Sequence, residues 1–191
     1  MKPSLQIQSV TTQEDRLAFL SFPWKVYQDD PYWVPPLFSE REHFISHHPF
    51  LDHADIEFFM AKRGDQVVGT IAAFINHRHN EFQNERIGFF GFFEVLEDPE
   101  AAQKLLGTAE KWVKDQGYDA IRGPAQYSTN EECGLLVDGF QDPPRVMMTY
   151  NPARYMTYIE DQGFTKAMDL HAYALGMDIY ADGSKFPQKN Q

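Results

Sequence analysis

Apolar and polar positions alternate through Leu5-Gln6-Ile7-Gln8-Ser9-Val10, the pattern of a half-buried strand. Thr11 then stands as a helix N-cap with Glu14 as its capping-box partner, and the helix runs towards Tyr27 with Pro23 as a kink or break. Asp29 to Pro36 is a stiff extended loop, because the prolines at 35 and 36 forbid helix and restrict the residues before them. A second helix covers Leu37 to Ser46 and ends at His47-His48-Pro49. Ile56 to Lys62 and Val67 to Asn76 read as a hairpin about Arg63-Gly64-Asp65. Ile87 to Glu94 follows as a third strand. Its near-continuous apolar content predicts burial on both faces, as in a central strand.

The next segment carries the clearest helical spacing. Ala102, Leu105, Leu106, Ala109, Trp112 and Val113 share one face, and Glu110 and Lys114 are placed for an i,i+4 pair on the other. Asp98 suits the N-cap, Pro99 the first helical position and Gly117 the C′ position. Tyr118 to Arg122 is a short strand closed by Gly123-Pro124. A helix from Pro152 to Gln162, stopped by Gly163, precedes a last strand over His171 to Met177. The order predicts an α/β (α+β) domain over residues 1–180, with a mixed, mostly antiparallel sheet and helices on both faces. Residues 181–191 read as a tail or linker.

Composition narrows the function. With 191 residues, 42% hydrophobic and 15% aromatic, the chain can bury a sizeable core. A net charge of −11 disfavours nucleic acid and anionic membrane surfaces, which need clustered Lys and Arg. The single cysteine, Cys133, cannot form an internal disulfide, which fits a cytoplasmic location. The start, MKPSLQIQSV, lacks the apolar core of a signal peptide, and Val67 to Ile75 is too short to span a bilayer.

"LLGTAEKWVKDQGYDAIRG" resembles the third helix and fifth strand of the GNAT (Gcn5-related N-acetyltransferase) superfamily, and "YNPARYMTYIEDQGFTKAMDL" resembles its last helix with the Gly-Phe pair that follows. "PWKVYQDDPYWVPPL", "HNEF", "GFFGFFE", "STNEECGLLV" and "MMTYNP" resemble a GNAT-like bacterial group, many of whose members carry a further GNAT-like half. The resemblance covers nearly the whole chain. It implies the fold, a small-molecule ligand and acetyl-CoA as donor, with no metal. It leaves open a homodimer or a second GNAT-like half as partner.

In that family the loop before the third helix reads Gln/Arg-x-x-Gly-x-Gly/Ala, and its amides with the helix N-terminus hold the CoA pyrophosphate. Counting back from Leu105-Leu106 puts the motif on Glu97 to Ala102, where only Ala102 fits. Asp98 as a cap, Pro99 without an N–H, and three acids at the positive end of the helix all oppose a phosphate. By the same correspondence the donor-binding positions are Phe93 and Val95 on the strand and Ala101 and Ala102 at the helix start.

Glu94 ends the apolar strand where the sheet of this fold opens, so its carboxylate is a candidate base for an ammonium substrate. Glu131 and Glu132, in the polar stretch Ser128 to Cys133, are further candidates for that role. Asn130, Tyr150, Asn151 and Tyr155 are candidate pocket residues. The family's acidic tyrosine falls on Ile159, one residue from Tyr158, and core packing is the simpler role for Tyr155 and Tyr158. His77-Arg78-His79-Asn80-Glu81 reads as a polar strand end rather than a metal site, since no second ligand pair has fitting spacing. Two functional classes follow: an acyl-CoA-dependent N-acyltransferase with an atypical phosphate loop, and a non-catalytic domain of the same fold that binds a ligand or partner.

Overall fold

The computed structural model describes residues 3–173. Five strands form one sheet in the order β1-β2-β3-β4-β5: Leu5–Ser9, Ala54–Arg63, Gln66–Asn76, Ile87–Val95 and Ala120–Arg122. The first four are antiparallel neighbours and β5 joins β4 in parallel. Five α-helices accompany them: α1 (Gln13–Val26), α2 (Phe38–His47), α3 (His77–Gln83), α4 (Pro99–Asp115) and α5 (Arg154–Asp161). One apolar cluster joins Ile71, Phe90 and Val95 to Leu105 and Leu106 of α4 and Ile159 of α5. A second, on the opposite face, joins Phe74, Phe89 and Phe92 to Phe19 and Leu20 of α1 and Ile45 of α2. Helices therefore cover both faces of the sheet, and β4 is central as its apolar run predicts.

Four local expectations need correction. The cap of α1 is Thr12, not Thr11, and its partner is Asp15 rather than Glu14. Tertiary contacts decide between the adjacent threonines, because Asp15 also accepts from Gln8 Nε2 at 3.0 Å and Lys62 Nζ at 3.4 Å. Pro23 sits inside an unbroken α1. His77 to Glu81 is helical, not a strand end. Asn76 caps that helix by accepting the His79 N–H, and the Asn80 side chain then bonds both the N–H and the C=O of Ile87, setting the start of β4. Residues 171–173 are not in a strand. The rest of the strand expected at His171 to Met177, and the tail 181–191, lie outside the described residues.

The end of β4 is shaped by one irregularity. Between the pairs Ala72↔Gly91 and Thr70↔Glu94, β4 holds one residue more than β3. The surplus sits around Phe92, at φ 50°, whose carbonyl accepts from the buried Thr70 hydroxyl at 3.1 Å. Such a bulge reverses the alternation of side chains beyond it. Phe90 packs under α4, and so do Phe93 and Val95, three and five positions on. Glu94 is thereby turned to the face of α1 and α2. On the other side of β4, β5 pairs only with Ile87, Gly88 and Phe89. The chain then leaves through Gly123-Pro124, held at Ala125, whose N–H bonds the Phe90 carbonyl at 2.9 Å. The far end of β4 is splayed from its neighbour.

Candidate functional site at the splayed end of β4

Glu94 lies in a cleft lined by Phe93 of β4, by Gln126, Glu132 and Leu135 from the stretch after β5, and by Tyr150 and Tyr155. Three phenols converge here. Tyr27, at the C-terminal end of α1, donates to the Glu94 carboxylate, its oxygen lying 3.0 and 3.2 Å from Oε2 and Oε1. Tyr155 of α5 lies 2.8 Å from Oε2. Tyr150 anchors the cleft wall, its hydroxyl 2.8 Å from both Asp30 carboxylate oxygens. Asp30 in turn accepts the N–H groups of Tyr32 and Trp33, and Trp33 stacks on Tyr27 with centroids 5.0 Å apart. The proline-rich loop is thus a brace that fixes the Tyr27 hydroxyl over Glu94.

A charge network stands opposite. Arg41 of α2 lies with its guanidinium 5.4 Å from the centre of the Phe92 ring and donates to Gln126 Oε1. Gln126 passes the link on by donating to Glu132. Burial pushes the Glu94 carboxyl up to about 7. The tyrosine hydrogen bonds and the Arg41 charge oppose that rise, and the Glu132 charge adds to it. Glu132 is raised for the same first reason, burial, with Arg41 opposing. Burial and the Glu94 charge lift Tyr27 and Tyr155 well above an ordinary phenol, so both remain protonated donors. A carboxylate titrating near neutrality, with fixed donors on one side and a guanidinium on the other, is equipped to take up and release a proton.

The structure divides the residues expected at the site. Glu94, Glu132, Phe93, Tyr150, Asn151 and Tyr155 all line the cleft. Glu131 does not; it accepts from Ser128 Oγ and faces His48 Nε2 at 3.5 Å. Asn130 is exposed on the same turn and also lies outside the lining. Asn151 acts as a clamp, accepting the Leu136 N–H at 2.7 Å and donating to the Leu136 and Pro152 carbonyls. Tyr158 packs partly buried against the core. Cys133 is a half-buried thiol whose pKa burial raises, and its backbone bridges to Ala125. Tyr27, Arg41 and Gln126 were not among the expected site residues. Tyr27 stands within the distinctive stretch "PWKVYQDDPYWVPPL", which is the signal that could have marked it; Arg41 carries none.

The donor-side positions are buried and engaged. Val95 donates its N–H to the Tyr155 hydroxyl at 2.7 Å, and its carbonyl is 3.1 Å from the same oxygen and 3.2 Å from Arg154. Ala101 donates to Asp98 Oδ1 at 3.3 Å, and Ala102 to the Asp98 carbonyl at 3.1 Å. Arg63 of β2 bonds Asp98 through Nε and through a terminal nitrogen, and reaches Glu100 at 2.6 Å. These residues do not fit a CoA pyrophosphate. Among the described residues no group of three or more His, Cys, Asp or Glu is placed to hold a metal, and no helix is long and apolar enough to cross a membrane.

Removal of the Tyr155 hydroxyl tests how much that oxygen holds. Tyr155→Phe leaves the buried Val95 N–H without its acceptor and Glu94 without one donor. A loss of about 1–3 kcal/mol is expected in urea unfolding.

The fold is that of the GNAT acetyltransferases. An aminoglycoside acetyltransferase, meta-AAC0020, from an uncultured soil metagenomic sample superposes with a TM-score of 0.54 at 8% identity, over 90% of this chain and 95% of that one. The ribosomal-protein-alanine N-acetyltransferase of Brucella melitensis biovar Abortus 2308 gives 0.52 at 11% identity, over 90% and 100%. Aminoglycoside acetyltransferase AAC(6')-Iy, in complex with a bisubstrate analogue, gives 0.52 at 12% identity, over 91% and 99%. In sequence, Protein YghO of Escherichia coli (strain K12) is 39% identical over 168 residues, 87% of this chain and 43% of that protein. The bacterial ceramide synthase of Caulobacter vibrioides (strain NA1000 / CB15N) is 37% identical over 172 residues, 88% of this chain and 45% of that protein. The chain thus spans less than half the length of these curated relatives. No protein-family model matches it.

Proposed function

We propose that the chain is the amine-activating part of an N-acyltransferase, with Glu94 as the general base. The observation that carries this reading is the Glu94 carboxyl, raised to about 7 and aimed into the cleft at the splayed end of β4. An ammonium substrate entering the cleft meets Glu94 and Glu132 with the Arg41 guanidinium beside them. Glu94 takes the ammonium proton, leaving a neutral amine. The amine nitrogen then forms a bond to the carbonyl carbon of an acyl thioester, the carbon–sulfur bond breaks, and the leaving thiolate takes up the proton that the bonded nitrogen sheds. Tyr27 and Tyr155 hold the base in place throughout.

The relative named as a ceramide synthase favours a long-chain 2-amino alcohol as acceptor, since a ceramide is the amide of such an amine. Apolar surface stands on the two segments that the Asp30–Tyr150 contact joins. Val34 and Leu37 are each 64% exposed on one, and Val146 is 92% exposed on the other, four residues before Tyr150. The test is calorimetric titration with a medium-chain 2-amino alcohol at pH 6 and 8, followed by thiol release from an acyl-CoA in its presence. Binding that strengthens with pH and is lost in Glu94→Gln supports the reading; neither binding nor thiol release sinks it. A second reading, a ligand-binding domain without chemistry, is favoured by one observation, the engagement of Ala101 and Ala102 by Asp98.

A further inference from the structure

Two contacts on the donor side of the cleft come from distant parts of the chain, and each fills a place where a thioester donor would be held. At the start of α4 Asp98 is 6% exposed, and its side chain caps Ala101 and is gripped by Arg63 from β2. Pro99 offers no N–H, and Glu100 is held by Arg63 and by Lys104 at 3.2 Å. The positive end of α4 already faces a carboxylate, and that carboxylate already has its cation. A pyrophosphate would have to displace Asp98 from both Ala101 and Arg63. It would then lie against the displaced Asp98 carboxylate, with Glu100 beside it.

At the open edge of β4 the Tyr155 hydroxyl, 1% exposed as a residue, takes the Val95 N–H at 2.7 Å. The same oxygen has Glu94 and the Val95 carbonyl within reach for its proton. A ligand amide seeking that edge finds it bonded. The Arg154 guanidinium adds a donor to the Val95 carbonyl and lies 5.6 Å from the centre of the Tyr155 ring, so α5 is fastened to the strand at both residues.

We propose that the donor side of this cleft is closed by the chain's own groups, with the Asp98 carboxylate standing in for a phosphate and the Tyr155 hydroxyl for a ligand amide. On the acceptor side Glu94 lines the cleft. The acyl donor is then held somewhere other than the edge of β4 and the start of α4, a last step that rests on the acyl-transfer reading above.

Amide NMR on the 15N-labelled chain tests the closure directly. CoA and 3′,5′-ADP, each titrated to millimolar concentration, are expected to leave the Val95, Ala101 and Ala102 amides unmoved. Saturable shifts of those three amides would overturn the proposal. Shifts confined to other residues support it, since the donor is then held elsewhere. A parallel titration with a medium-chain 2-amino alcohol separates the two claims. If the amine is also silent, the acyl-transfer reading fails while the closure stands.

Discussion

On the proposed acyl-transfer reading, Glu94→Gln is expected to lower the rate of N-acylation by about 10²–10⁴-fold, the usual share of a general base, while making the protein more stable above pH 7. The two effects have one cause. In the unfolded chain this carboxyl releases its proton near its ordinary 4.5; in the folded protein burial holds it to about 7. Between those values the native state binds more protons than the unfolded state. Stability therefore falls as pH rises through that window, and the loss is complete above it. The shift corresponds to roughly 3 kcal/mol at most. Glutamine resembles the protonated form at every pH and still accepts from Tyr27 and Tyr155 through its carbonyl oxygen. The variant should show a stability profile that falls less steeply from pH 5 to 8, with Glu132 keeping its own contribution, and urea midpoints above those of the native sequence at pH 8. Retained activity would remove Glu94 from proton transfer. Lost activity with an unchanged pH profile would mean that its carboxyl is better solvated than its surroundings indicate.

The sequence makes local features readable and hides those that depend on parity or distance. Helix α4 is legible to its ends because its cap Asp98, its Pro99 and its Gly117 at φ 86° act within one turn of the backbone they satisfy. The acidic, capped start of α4 is legible for the same reason, although Arg63, which grips Asp98, is 35 residues away from it. The bulge in β4 is invisible. From Ile87 to Phe93 every residue is apolar or glycine, so no alternation exists to be broken, and nothing tells which face Glu94 will take. Glu131 and Glu132 are neighbours of one chemistry, and only the tertiary positions of His48 and Gln126 send one outward and the other into the cleft. Arg41 sits in an ordinary polar helix face. Its role follows from α2 lying over Phe92, a contact across more than fifty residues that no periodicity announces.

The same geometry makes Gly91→Ala the most damaging small substitution expected here. A Cβ at Gly91 would lie 1.6 Å from the Ala125 carbonyl oxygen and 2.7 Å from its carbon. Both are backbone atoms, so no rotamer change relieves the clash. Ala125 is where the chain leaving β5 is last tied to β4, and Gly123 passes nearby with little room, a Cβ there lying 2.4 Å from the Phe90 carbonyl oxygen. Making space at Gly91 means pushing that crossing away from the sheet. Overpacking of a yielding core costs about 1–3 kcal/mol, and a clash between two backbones belongs at or beyond the upper end. The displaced segment carries Gln126 and Glu132, so Arg41 loses its partner and Glu94 its opposing wall. A lower urea midpoint should accompany loss of amine binding. Gly107→Ala is the matched control. Gly107 lies inside α4 with only the Gln162 side-chain nitrogen near its would-be Cβ, at 3.6 Å, an ordinary contact. There the added methyl reduces the freedom of the unfolded chain and should stabilise by about 0.5–1 kcal/mol. Opposite signs for the same chemical change would show that the damage at Gly91 comes from the crossing of two chains beside the cleft, and not from glycine replacement as such.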